Sequence, residues 1–213
     1  MIKKILRENY IYILIIIGLI ISFVVVKNTN LYKKVIDIDY SVIEFFGNIS
    51  DKRLTSMMTF LTNFGDLYIP IIIIVCIFLF IKNKWYGFIL SGSYLLSGLV
   101  VFITKNMVAR PRPLEALITI PSSFSFPSGH TLTSIVFYMT LLYLMTENKE
   151  PVVKFIFSLL FSFLIVIVAF SRVFLGVHYF SDVIGGLLLG IPCLLCTLNI
   201  IDKNFKEKLV WEH

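Results

Sequence analysis

Long unbroken runs of apolar residues restrict this 213-residue chain to folds that cross a lipid bilayer. A hydrocarbon core of ~30 Å takes about 20 apolar helical residues. The runs Tyr10–Val26, Trp85–Thr104 and Val183–Ile201 meet that length, and Gly129–Thr146 does so with one His near its start. Two further runs, 67–81 and 155–174, complete the set, because Lys82, Lys84 and Lys154 at their inner ends can snorkel to the interface. The predicted fold is all-α, an integral membrane six-helix bundle with spans at 10–26, 67–81, 85–104, 129–146, 155–174 and 183–201. No repeat or linker divides it, so residues 1–213 form one domain. A composition 58% hydrophobic and 15% charged excludes both a soluble domain and a disordered chain.

Cation density orients the bundle. Lys3, Lys4, Arg7, Lys82, Lys84, Lys149, Lys154, Lys203, Lys206 and Lys208 crowd short segments on one side, which places both termini in the cytoplasm. The first run has no small-residue cleavage site after Val26 and is read as a retained anchor. On the outer side, Ile38, Val42, Phe45 and Ile49, then Leu54, Met57, Leu61 and Phe64, recur at helical spacing. They predict two short external amphipathic helices, with Ser50 as N-cap of the second, lying in the interface plane or packed against the bundle. Gly87, Ser91, Ser93, Ser97 and Gly98 in the third span are read as helix-packing contacts. Cys193 and Cys196 form a CxxC inside an apolar helix and are read as core, while His213 is read as a solvated terminal residue.

The ionisable residues near the spans converge. Lys105 ends the third span, Arg110 and Arg112 follow it, and Ser128, Gly129 and His130 open the fourth. Arg172 ends the fifth span, and His178 and Asp182 precede the sixth. All face the outer side at similar depth, and charged groups at membrane depth mark functional sites. Lys105, Arg112 and Arg172 with the amides at a helix start make a site for a phosphate-sized anion, which accounts for cations of a net +6 chain without a nucleic-acid partner. Gly129 permits close backbone approach, and Ser128 can cap the helix or donate to an anion oxygen.

The histidines add chemistry that binding alone does not require. His178 and Asp182 stand four residues apart, so on a helix the carboxylate can fix the imidazole tautomer, as in the preparation of a nucleophile or a base. His130 has the residue type to protonate a leaving oxygen. Arg110 is read as an interfacial cation, and Glu115 as able to orient a cation or a substrate hydroxyl.

Lys105, six residues, Arg112 and Pro113; Pro127, Ser128, Gly129 and His130; and Ser171, Arg172, five residues, His178, three residues and Asp182 together resemble the three motifs of the type 2 phosphatidic acid phosphatase family, in order over 105–182. The resemblance implies a bacterial cell-membrane phosphatase of lipid phosphates, such as phosphatidic acid, phosphatidylglycerol phosphate or undecaprenyl diphosphate, that uses no metal or other cofactor. It implies that His178 forms a phosphohistidine, that Asp182 supports it and that His130 is the general acid. Lys105, Arg112, Ser128, Gly129 and Arg172 would hold the phosphoryl oxygens. The same site serves a lipid phosphotransferase. A cation held by His130, His178 and Asp182 is opposed by the surrounding cations, and a transporter or non-catalytic lipid-binding protein by the crowding of ionisable groups at one face. The sequence does not specify an oligomeric state.

Overall fold

The computed structural model describes residues 2–27 and 29–209, so His213 lies outside the described residues. Among these the chain is all-helical: α1 (Ile2–Val26), α2 (Asn30–Ile49), α3 (Lys52–Thr62), α4 (Tyr68–Phe80), α5 (Trp85–Val108), α6 (Gly129–Thr146), α7 (Pro151–Phe174) and α8 (Phe180–Asn204). One-turn 3₁₀ segments follow α3 at Asn63–Gly65 and α8 at Lys206–Leu209.

Local chemistry sets several of the boundaries. Asp51 caps α3, its carboxylate accepting the Leu54 N–H at 2.7 Å. Ser50, expected in that role, instead closes α2, its hydroxyl donating to the Gly47 carbonyl at 2.8 Å. Both residue types cap helices, and the extended backbone at Asp51 puts its carboxylate over the first turn. Pro151 occupies the first turn of α7, where a missing N–H costs nothing.

α6 is the central helix, enclosed by α5, α7 and α8, with α1 packed on α8 and α5 and α4 on α5. Glycines let α8 lie close against it: a Cβ at Gly185 would stand 2.3 Å from the Phe126 ring, and one at Gly186 2.9 Å from the Ser128 carbonyl. Close backbone approach of this kind drives helix association where lipid is as apolar as the side chains. In α5, Gly87 packs against the Phe78 ring and Ser93 and Ser97 are buried, as packing contacts should be. Gly98 faces outward and makes no such contact.

Four helices, α1 over Lys4–Val26 and α5, α7 and α8, are each long and apolar enough to cross a membrane. The segments Lys52–Gly65 and Tyr68–Phe80, bent by 45°, reach that standard only as a pair, which makes up to five. The six expected segments are all helical, but α4 is short at 13 residues and α6 falls outside the set. The composition of α6 follows from its position: surrounded by protein, it carries Thr131, Ser134 and Thr140 buried and need not be lipophilic. The chain is thus a multi-pass membrane protein.

α2 and α3 are not loose additions. α3 packs on α7, and α2, 20 residues long and so not short, packs on α7 and α8. The face of α2 turned inward carries Asp39 and Ile43, with Val42 and Phe46 beside them. Ile38, Phe45 and Ile49 of the expected apolar stripe are exposed, and Ile38 and Phe45 border an apolar groove of about 760 Å³ between α2, α7 and α8.

Candidate active site

Helix order brings the motif residues to one end of the bundle. The end of α5, the start of α6, the end of α7 and the start of α8 all lie there, joined by the 109–128 connection and the short turn 175–179. Gly176 makes that turn with φ +67, and a Cβ on it would stand 2.8 Å from the Glu115 carbonyl, so the long connection lies directly over the turn. Backbone bonds fasten the pieces: Leu117 N–H donates to Leu175 O at 3.0 Å, Ser125 N–H to Arg110 O at 2.8 Å, and Ser128 N–H to Asp182 O at 2.9 Å.

His178 is 1% exposed and lies between two polarities. Its Nδ1 is 3.4 Å from Asp182 Oδ2 and from Ser125 Oγ, while its Nε2 is 3.2 Å from an Arg112 NH group. With the proton held at Nδ1 toward the carboxylate, the Nε2 lone pair faces the cationic side. Burial pushes the imidazole pKa down to about 3; Asp182 opposes this, and Arg112 and Arg172 add to it. The neutral ring is therefore the resting form at neutral pH. Asp182 Oδ2 accepts from Ser125 Oγ in a short bond and from the Tyr179 N–H at 2.9 Å, and its Oδ1 accepts from Arg110 at 2.7 Å.

Arg112 is the cation set against Nε2, and Lys105 and Arg172 lie near Arg112. Arg112 donates to Val177 O at 2.6 Å and Ser123 O at 2.7 Å, and Lys105 Nζ donates to Phe124 O. Arg172, 4% exposed, donates to Thr62 Oγ1 at 2.8 Å, and its buried Nε has no hydrogen-bond partner among the described residues. An anion accepted there would satisfy that orphaned donor. Ser128 is the N-cap of α6, its oxygen 3.5 Å from the Thr131 N–H and receiving the Thr131 hydroxyl at 3.0 Å. The N–H groups of Gly129 and His130 lie in the first turn, where no helical carbonyl serves them. A Cβ at Gly129 would meet Val101 at 3.4 Å, an ordinary contact. Together these groups offer the cationic and amide donors that a tetrahedral dianion requires, beside a neutral imidazole.

His130 has a separate partner. Asp66, in the bend between α3 and α4, lies 2.9 Å from Nε2 and orients the ring. His130 and His178 thus answer to different carboxylates, and among the described residues no three His, Cys, Asp or Glu side chains are placed to share a metal ion.

Several residues here carried no motif: Asp66, Thr62, Ser123 and Ser125. The serines sit in the run Ser122–Ser125 ahead of Pro127, the one sequence cue to them. Arg110, read as an interfacial cation, is instead 3% exposed and bridges Asp182 to Asp39. Glu115 is exposed, and its side chain has no hydrogen bond or ion pair among the described residues. Cys193 and Cys196 are buried free thiols of α8.

The sequence model of the PAP2 superfamily matches residues 86–206. Phosphatidylglycerophosphatase B of Bacillus subtilis is 31% identical over 161 residues, 73% of this chain and 77% of its own. An undecaprenyl-diphosphatase of Sulfolobus acidocaldarius is 29% identical over 197 residues, 87% of this chain and 88% of its own. The crystal structure of a transmembrane PAP2-type phosphatidylglycerolphosphate phosphatase from Bacillus subtilis superposes with a TM-score of 0.77 at 26% identity, covering 92% of this chain and 97% of that one.

Proposed function

The chain belongs to the PAP2 superfamily, and from that premise we propose that it hydrolyses the phosphate or diphosphate headgroup of a membrane lipid through a phosphohistidine on His178. The observation that carries this is the pairing of His178 Nε2 with Arg112 at 3.2 Å on one side and Nδ1 with Asp182 at 3.4 Å on the other. In the first step Nε2 attacks the terminal phosphorus in line, its P–O bond to the lipid alcohol, or in a diphosphate to the lipid monophosphate, breaks, and His130 delivers a proton to the departing oxygen. In the second, His130 takes a proton from water as that water attacks the phosphohistidine, releasing inorganic phosphate and restoring His178. Phosphoryl transfer asks mainly for positioning and for charge on the equatorial oxygens to be met. Lys105, Arg112, Arg172 and the amides of Gly129 and His130 supply this without a metal ion.

The substrate class follows from the surroundings. The relatives named above act on a phosphatidylglycerol phosphate and on undecaprenyl diphosphate, and a lipid diffusing in the outer leaflet reaches a site of this depth from the side. The cation bias of the connecting segments supports six spans with both termini cytoplasmic and the site external. Phosphatidylglycerol phosphate, undecaprenyl diphosphate and phosphatidic acid are the headgroups to test.

Phosphate release by detergent-purified protein in excess EDTA, for the wild type beside His178→Ala, decides the matter. Turnover by the wild type alone, with acid-labile label on the protein after denaturing quench, supports the proposal. Activity that requires added divalent metal, or that persists in His178→Ala, rules it out.

A further inference from the structure

We propose that Asp39 of α2, acting through Arg110, is a positioning residue that holds Asp182 in the orientation His178 needs. The inference rests on the phosphatase reading above and adds residues from outside the three motifs. Arg110 grips a carboxylate with each end of its guanidinium: one NH group lies 2.7 Å from Asp182 Oδ1, the other 2.7 Å from Asp39 Oδ2. The guanidinium carbon lies 4.1 Å from the centroid of the Tyr179 ring, a cation–π contact that further holds it in place. Asp39 is 1% exposed and is itself fixed, accepting from the Ser181 N–H at 2.9 Å and the Ser181 hydroxyl at 2.5 Å.

This arrangement divides the two oxygens of Asp182. Oδ1 is committed to Arg110, so the carboxylate cannot rotate, and Oδ2 stays on the side of His178 Nδ1. Charge-assisted hydrogen bonds are short and strong, and here one planar guanidinium ties two carboxylates together with one such bond to each. Asp39 has a second effect. By occupying the other half of Arg110, it keeps that guanidinium out of the phosphate site, whose cations are Lys105, Arg112 and Arg172. Arg110 is therefore an anchor for the catalytic carboxylate and not a phosphate ligand. α2 becomes a strut of the active site, joined to it across 71 positions of sequence.

The test is steady-state kinetics of Asp39→Asn in full-length detergent-purified protein, with a lipid phosphate and with p-nitrophenyl phosphate. Asn preserves size but removes the charge, and its NH2 group cannot accept at one of the two oxygen positions that Ser181 and Arg110 now use. The expected result is a kcat lower by about 10²-fold, the scale of a small misplacement of a reacting group. KM and the inhibition constant for inorganic phosphate stay unchanged, and the loss is equal for both substrates because it falls on the nucleophile. Arg110→Lys, which keeps the charge but not the planar fork that spans the two carboxylates, provides a second variant should the first fail to fold. Its kcat falls in the same way, and the double variant is no worse than Arg110→Lys, since both act through one carboxylate. Full kcat in the folded single variants, a loss confined to KM and phosphate inhibition, or losses that multiply in the double variant would overturn the proposal. A wild type without phosphatase activity would instead remove the function on which it rests.

Discussion

Asp66 Oδ1 lies 2.9 Å from His130 Nε2, joining the bend before α4 to the first turn of α6. A Cβ at the neighbouring Gly65 would stand 2.9 Å from His130 Cδ2, so the bend is pressed against the ring it orients. Because His130 gives a proton to the leaving oxygen and later takes one from water, Asp66 acts on both steps through it. Asp66→Ala should lower kcat on a lipid phosphate by about 10²-fold, the lower end of general acid catalysis. With p-nitrophenyl phosphate, whose leaving group needs no proton, the first-step burst should be kept and only hydrolysis of the phosphohistidine slowed. Loss of that burst would show that Asp66 does not act through His130.

His130→Ala separates the two chemical steps. With a lipid phosphate, turnover should fall by about 10² to 10⁴-fold. With p-nitrophenyl phosphate the first step proceeds, but water lacks its base, so the phosphohistidine should accumulate. The check is a burst of nitrophenolate with stoichiometric acid-labile phosphate on the protein, absent from His178→Ala. A burst-free His130→Ala with wild-type turnover would mean that another group activates the water.

How far this was legible in the sequence depends on what lipid does to the usual signals. Apolar run lengths fix where helices end, and since α5, α6, α7 and α8 alternate in direction, Lys105, His130, Arg172 and His178 had to meet at one face. The facing of α2 was not legible for the same reason that its helicity was. In a bilayer an apolar stripe need not be buried, so Ile38 and Phe45 mark a helix without saying which side packs. The inward face is set by Asp39, whose partner Arg110 lies 71 residues away and has no spacing to betray it. Arg110 itself looks, in sequence, like any interfacial cation. Ser50 and Asp51 are adjacent, both able to cap, and only the backbone turn chooses between them.

The depressed pKa of His178 sets the acid limb of the first step. An ordinary imidazole, with a pKa near 6.5, is mostly protonated at pH 5 and loses its nucleophile. Burial holds His178 at about 3, so the neutral form persists through that range and is lost only as pH falls toward the folded value. Burst rates of His130→Ala with p-nitrophenyl phosphate, corrected for ionisation of the ester, should therefore stay level from neutrality to about pH 4. A limb with its midpoint near 6.5 would place His178 in water rather than in the interior.

Gly176 provides a test of how the nucleophile is aimed. It turns the chain between α7 and α8 with φ +67, two residues before His178, and an added Cβ would stand 2.8 Å from the backbone oxygen of Glu115. Left-handed backbone costs a residue with a Cβ about 1–2 kcal/mol. The steric conflict adds to this, because the obstacle is main chain of the connection that Leu117 N–H ties to Leu175 O at 3.0 Å. Relief therefore has to come from a shift of the turn itself, which carries His178 away from Asp182 and Arg112. Gly176→Ala should lose about 10²-fold or more in kcat, the cost of moving a reacting atom by about 1 Å, with a modest fall in thermal stability. KM should change less, since Lys105 and Arg172 stand on α5 and α7 and not on the turn. Wild-type kcat in Gly176→Ala would mean that the turn relaxes without moving the imidazole.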